Sequence, residues 1–150
     1  MRMPQFKIGE HYSSTEIQHA LGVGNAGGIR ICTTSEGLVR RAVILTSLPT
    51  ARQCRENPYH DRIENGILVY TAAGLSGDQS LGGVNRRIEQ QRSHDFPIYG
   101  FLLTKSRRDP TVGPKRWQFL GLLEYLRHYP HNEVDVAGKK RSVWVFELRI

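Results

Sequence analysis

Six short apolar segments constrain this chain more than any other feature. They are 29–33 (IRICT), 38–46 (LVRRAVILT), 66–71 (GILVYT), 97–104 (PIYGFLLT), 117–127 (WQFLGLLEYLR) and 141–150 (RSVWVFELRI). Each is rich in β-branched or aromatic residues and is bounded by glycine, proline or charged residues, which predicts strands. Segment 38–46 is continuously apolar after Arg41, as in a strand buried on both faces. Segment 141–150 alternates, and Gly121 marks a predicted bulge in 117–127. The chain holds 15 glycines and 7 prolines, enough to punctuate six strands.

Two stretches read as helical. Ser13 or Ser14 caps the first, Ile17, Ala20 and Leu21 share its inner face, and Gly22 and Gly24 stop it. Asp78 caps the second, which is predicted to run to about Gln91 with Leu81, Val84, Asn85 and Ile88 on one side. Gly82-Gly83 weakens its first turn. Residues 48–58 and 105–115 read as polar or charged loops, and 129–138 as a turn. The expected fold class is α+β, mostly β: a curved sheet or half-barrel with two flanking helices. With 150 residues, one domain over 1–150 is expected.

The chain carries 21 Lys+Arg against 14 Asp+Glu, a formal charge of +7. That excess favours a polyanionic partner. No stretch reaches the roughly 18–20 apolar residues of a membrane span, so no membrane partner is expected. Residues 1–20 lack a continuous apolar run, which argues against a secretory signal. Two cysteines, Cys32 and Cys54, make no disulfide scaffold.

Three motifs suggest chemistry and fail on context. Residues 22–27 (GVGNAG) match a dinucleotide-binding fingerprint, but a helix precedes them and a strand follows, the reverse of what that site needs. His128-x-x-His131, with Glu133 and Asp135 nearby, falls in the predicted turn with no cysteine close by and reads as a solvated hairpin. Glu133, Asp135 and Glu147 resemble the acidic set of a small Mg²⁺-dependent nuclease, the alternative activity. In that pattern Arg149 stands where lysine is expected, and a guanidinium cannot act as a base. No nucleophile elbow or Ser/His/Asp arrangement appears, so no catalytic residue, metal ligand or cofactor is assigned.

The informative block is 59–88. Tyr59 and Tyr70 bracket Asp61, and Tyr70-Thr71 ends a strand beside a small-residue turn. Two rings can sandwich a flat polar ligand while a carboxylate accepts from an amino group on its edge. An everted cytosine is such a ligand, because it presents an N4 amine.

This block, with its surroundings, resembles the SRA (SET- and RING-associated) domain, a PUA-like fold, and most closely the SRA-like domains of bacterial modification-dependent restriction endonucleases. The resemblance spans about residues 12–150. It rests on Gly24-Asn25-Ala26-Gly27-Gly28-Ile29-Arg30, on the 42–47 strand, and on Tyr59-x-Asp61, Gly66 and Tyr70-Thr71. It continues through Gly77-Asp78-Gln79-x-Leu81, Asn85-Arg86, 117–122 and 143–148. Segment 72–77 is shorter than the finger of eukaryotic members, and Ala72 stands where glycine is usual.

The resemblance implies a binding module that everts a 5-methyl- or 5-hydroxymethylcytosine from double-stranded DNA. Tyr59 and Tyr70 would stack on the base, Asp61 would accept from N4, and Thr71 would contact the edge. Asn25, Arg30, Arg40, Asn85, Arg86, Lys105, Arg107 and Arg108 would meet the DNA backbone or groove. It also implies a bacterial cytoplasmic location and a nuclease activity on a separate domain or subunit. An RNA-binding PUA-like module is the remaining alternative.

Overall fold

A computed structural model describes residues 6–24, 27–47, 61–72, 83–105, 116–134 and 138–150. The elements are β1 (His11–Tyr12), α1 (Ser14–Leu21), β2 (Ile29–Thr33), β3 (Val39–Thr46), β4 (Arg62–Glu64) and β5 (Ile67–Thr71). They continue with α2 (Gly83–Glu89), which runs into a 3-10 turn (Gln90–Arg92), then β6 (Ile98–Lys105), β7 (Arg116–Val134) and β8 (Lys140–Arg149). Strands dominate, as the apolar pattern predicts, and the fold is the mostly β, PUA-like type with two short helices.

The chain forms two compact units, one of residues 1–47 and 96–123, the other of 48–95 and 124–150. In the first, β2 pairs antiparallel with β3, β3 parallel with β6, and β6 antiparallel with the opening of β7. Val43 and Leu45 of β3, Tyr99 and Phe101 of β6 and Phe119 of β7 form its core with Ile17 and Leu21 of α1. The helix is well specified. The Ser13 side chain accepts from the Glu16 N–H, the Glu16 carboxylate accepts from the Ser13 N–H, and Gly22 closes the far end at φ 65°. Ala20, expected on the inner face, is exposed; Ile17 and Leu21 alone anchor the helix.

The bulge predicted at Gly121 is present. Gly100 opposes Gly121 and Phe101 opposes Phe119, so Leu120 is the extra residue. Gly100 is required for packing, since a Cβ there would lie 2.8 Å from the Leu123 side chain.

In the second unit, β4 pairs with β5, β5 with β8, and β8 with the rest of β7, all antiparallel. Asn65 and Gly66 both have positive φ, 51° and 74°, as the two-residue turn joining β4 to β5 requires. The sequence reading of 129–138 as a turn is corrected here. Tyr129–Val134 continues β7 and pairs with β8 down to the register Val134↔Lys140. Proline at 130 and the polar residues after it read as turn chemistry, but β8 supplies a long paired partner, and pairing overrides local preference. The described part of the second helix begins at Gly83 and continues through its 3-10 turn to Arg92, close to the predicted end; residues 78–82 lie outside the described residues. Asn85 and Ile88 are buried, as predicted.

Candidate base-recognition site

Alternation on β5 decides which way each candidate points. Val69 and Thr71 share one face, and Leu68 and Tyr70 the other. On β8, Val145 opposes Thr71, and Phe146 opposes Tyr70. Tyr70 therefore lies beside Phe146, both buried. Asp61 sits one residue before the pair Arg62↔Val69, level with the end of β5. Its carboxylate is buried, 6% exposed, and its Oδ1 accepts the Thr71 N–H at 2.8 Å.

That bond fixes the carboxylate next to the Tyr70-Thr71 pair. It also commits the Thr71 N–H to Asp61. The backbone N–H fixes the position of the Oδ1 oxygen, which acts as the acceptor of that bond. Tyr59, the second expected ring, lies outside the described residues.

The expected DNA-contact residues separate into distinct groups. Arg40 of β3 and Arg86 of α2 are exposed. Arg30 is buried, and its guanidinium donates to the Gly27 carbonyl at 3.0 Å and the Ser14 hydroxyl at 2.8 Å, tying the glycine loop to α1. Asn85 is buried on α2. Lys105 ends β6 opposite Arg116. Asn25, Arg107 and Arg108 lie outside the described residues.

Of the acidic residues of the nuclease alternative, Glu133 lies on β7 and Glu147 on β8. Glu147 is gripped by Arg127, whose Nε lies 3.0 Å from both carboxylate oxygens and whose Nη2 lies 2.9 Å from Oε1. Glu133 opposes Arg141 across the hairpin, and Asp135 lies outside the described residues. His128 and His131, three apart on a strand, fall on opposite faces. His128 packs against Trp144 and Phe146 and bonds through Nδ1 to the Tyr125 hydroxyl, whereas His131 is exposed. Among the described residues, no three His, Cys, Asp or Glu side chains come together as a metal site would need.

The described residues of the second unit also form a cleft of about 150 Å³, lined by Arg62, Val69, Thr71, Tyr129, His131, Glu133 and Val145. It opens on the face opposite Tyr70. The sequence reading missed it because 129–138 was taken as a turn. The signal was the alternation Tyr129, His131, Glu133, which places all three on one face of a strand.

These features define the fold as that of an SRA domain. The chain is similar to the SUVH5 SRA domain in complex with fully methylated CG DNA, at 19% identity and a TM-score of 0.66, covering 99% of this chain and 91% of that one. It is also similar to ScoMcrA, a structure of sulfur-binding and SRA domains complexed with phosphorothioated DNA, at 18% identity and a TM-score of 0.65, covering 97% and 40%. A third is KRYPTONITE in complex with mCHG DNA and SAH, at 14% identity and a TM-score of 0.65, covering 97% and 34%. No family model and no curated protein matches the chain.

Proposed function

We propose that this chain binds double-stranded DNA carrying a 5-modified cytosine, methyl or hydroxymethyl, by everting that base against Asp61, Tyr70 and Thr71. The observation that carries the reading is the Asp61 carboxylate, buried and held at 2.8 Å by the Thr71 N–H beside Tyr70. The fold supports it, since SUVH5 SRA domains have been solved with fully methylated, hemimethylated and hydroxymethylated CG DNA.

The energetics are consistent. Eversion costs a few kcal/mol, and stacking returns about 1–3 kcal/mol per base. Asp61 then supplies the selectivity for cytosine, because it accepts from N4, where thymine carries a carbonyl. A buried methyl adds about 0.8 kcal/mol, so discrimination against plain cytosine comes from fit as well as burial. Exposed Arg40 and Arg86 meet phosphates and make binding fall with salt. In this reading the domain is the recognition module of a modification-dependent restriction system in the bacterial cytoplasm, with cleavage carried by another domain or subunit.

The test is a set of titrations of a duplex bearing one 5-methylcytosine or 5-hydroxymethylcytosine, its unmodified twin and an RNA of the same sequence. Tighter binding to a modified duplex is expected. Equal affinity for all duplexes removes the proposal, preference for the RNA replaces it with a PUA-like RNA reader, and Mg²⁺-dependent cleavage by the chain alone revives the nuclease.

A further inference from the structure

The Asp61 reading leaves the outer-face cleft without a role, and its lining is specific. Val69 and Val145 form a buried apolar floor. Tyr129 contributes an aromatic wall, stiffened by the Arg127 guanidinium 5.3 Å from its ring centroid. The cleft is also lined by Arg62, whose Nε lies 2.9 Å from the Glu64 carboxylate, by His131 and Thr71, and by the acidic Glu133.

The volume, about 150 Å³, matches a cavity that accepts one benzene-sized ring. An apolar floor and an aromatic wall suit the faces of such a ring. A rim with donors and the Glu133 carboxylate suits an edge that carries an amino group and, on the far side of a ring nitrogen, a carbonyl. Cytosine has that edge, its N4 amine donating to a carboxylate and its carbonyl oxygen accepting from an arginine or a hydroxyl. Uracil lacks the amine.

We propose that this cleft is a second base site, one that takes an amino-bearing pyrimidine ring such as unmodified cytosine. It is separate from the site at Asp61. Tyr70 projects from the other face of β5, and only Thr71 belongs to both. A chain with two such sites holds a neighbouring or unpaired base in addition to the modified one.

The experiment titrates the full chain carrying Asp61→Asn with cytidine, uridine and glucose, followed by NMR or calorimetry. Asparagine retains an oxygen for the Thr71 N–H while removing the carboxylate of the first site. Saturable cytidine binding near about 1 mM is expected. Adding Tyr129→Ala should weaken it about tenfold or more, as loss of a stacking platform does. Adding Glu133→Gln should weaken cytidine more than uridine. Thermal melts confirm that each variant is folded.

If Asp61→Asn melts too early for titration, the unaltered chain is used, and Tyr129→Ala must remove one of two cytidine-binding events. No saturable cytidine binding, equal binding of uridine, preference for glucose, or binding that survives Tyr129→Ala overturns the inference. Those results leave the modified-cytosine proposal standing, because its own test depends on Asp61 and duplex DNA.

Discussion

The two units of this chain differ in where their charged side chains are placed. In the first, aromatic rings are spent on each other. Phe6 packs edge-on against Tyr12 and Phe101 at centroid distances of 4.7 and 5.3 Å, and Phe101 meets Phe119 at 5.2 Å. Its buried arginines are spent on the backbone, Arg41 donating to the Leu21 carbonyl at 2.9 Å and Arg30 to that of Gly27. In the second, Asp61 holds the Thr71 N–H at the end of β5, and Arg62, His131 and Glu133 line the cleft. On the proposed function, the first unit serves as a scaffold and the second holds the recognition chemistry. The formal charge of +7 overstates the cations available to phosphate, because Arg30 and Arg41 are turned inward and Arg127 is held by Glu147.

The sharpest way to break this division is to injure the scaffold. Phe101 is fully buried among rings, and Phe101→Ala should cost about 3–5 kcal/mol of stability. A denaturant melt measures it. Duplex titrations on the protein that remains folded should still prefer the modified cytosine. A folded Phe101→Ala protein that no longer distinguishes the duplexes would show that the first unit takes part in recognition.

The converse change injures the proposed base site. Asp61→Ala removes the acceptor and strands the Thr71 N–H, at about 1–3 kcal/mol. Preference for the modified duplex should fall about tenfold or more. Asp61→Asn separates the two roles, with melting near that of the unaltered chain and preference nearly as weak as in Asp61→Ala. If Asp61→Asn retains full preference, the carboxylate is structural alone and the base is read elsewhere.

What the sequence made legible follows the range of the interactions. The first helix was readable to its ends, because each signal is local: Ser13 and Glu16 act within the first turn, and Gly22 bonds back to Gln18 within the last. The bulge at Gly121 was readable because glycine inside a strand pattern has few other uses. The β4–β5 hairpin was missed although Asn65-Gly66 advertises it; β4 has only three residues and lacks an apolar run. The parallel pairing of β3 with β6 and the pairing of β5 with β8 join segments more than 50 residues apart, and no local pattern specifies them. Asp61 and Tyr70-Thr71 were singled out as a group, and the structure brings Asp61 onto Thr71. The cleft stayed hidden because turn-forming residues at 130–133 outweighed an alternation that only β8 makes real.

A smaller effect tests whether the scaffold role reaches its edge. Ser13→Ala deletes one half of the capping box on α1, at about 1 kcal/mol. A thermal melt should register it, and the duplex titrations should not. A changed preference in Ser13→Ala would bring α1, and with it the loop tied down by Arg30, into contact with DNA.

The last comparison is read mainly at alkaline pH. Each unit buries one tyrosine whose hydroxyl is pushed above its usual titration range: Tyr99 in the first, mainly by burial and against the pull of Arg41, and Tyr125 in the second, mainly by burial and against Arg92. A raised folded-state value means that the native protein holds its phenolic proton more tightly than the unfolded chain. Stability from this source is fully present below about pH 10 and is lost as pH rises through the folded value. Tyr99→Phe and Tyr125→Phe should each flatten the fall in stability between about pH 9 and 11 in denaturant melts. Tyr125→Phe should also lower stability at every pH, because it removes the hydroxyl bonded to His128. A steeper alkaline fall in either variant would mean that the tyrosine ionises more readily in the folded protein, which would require water to reach a ring the structure buries.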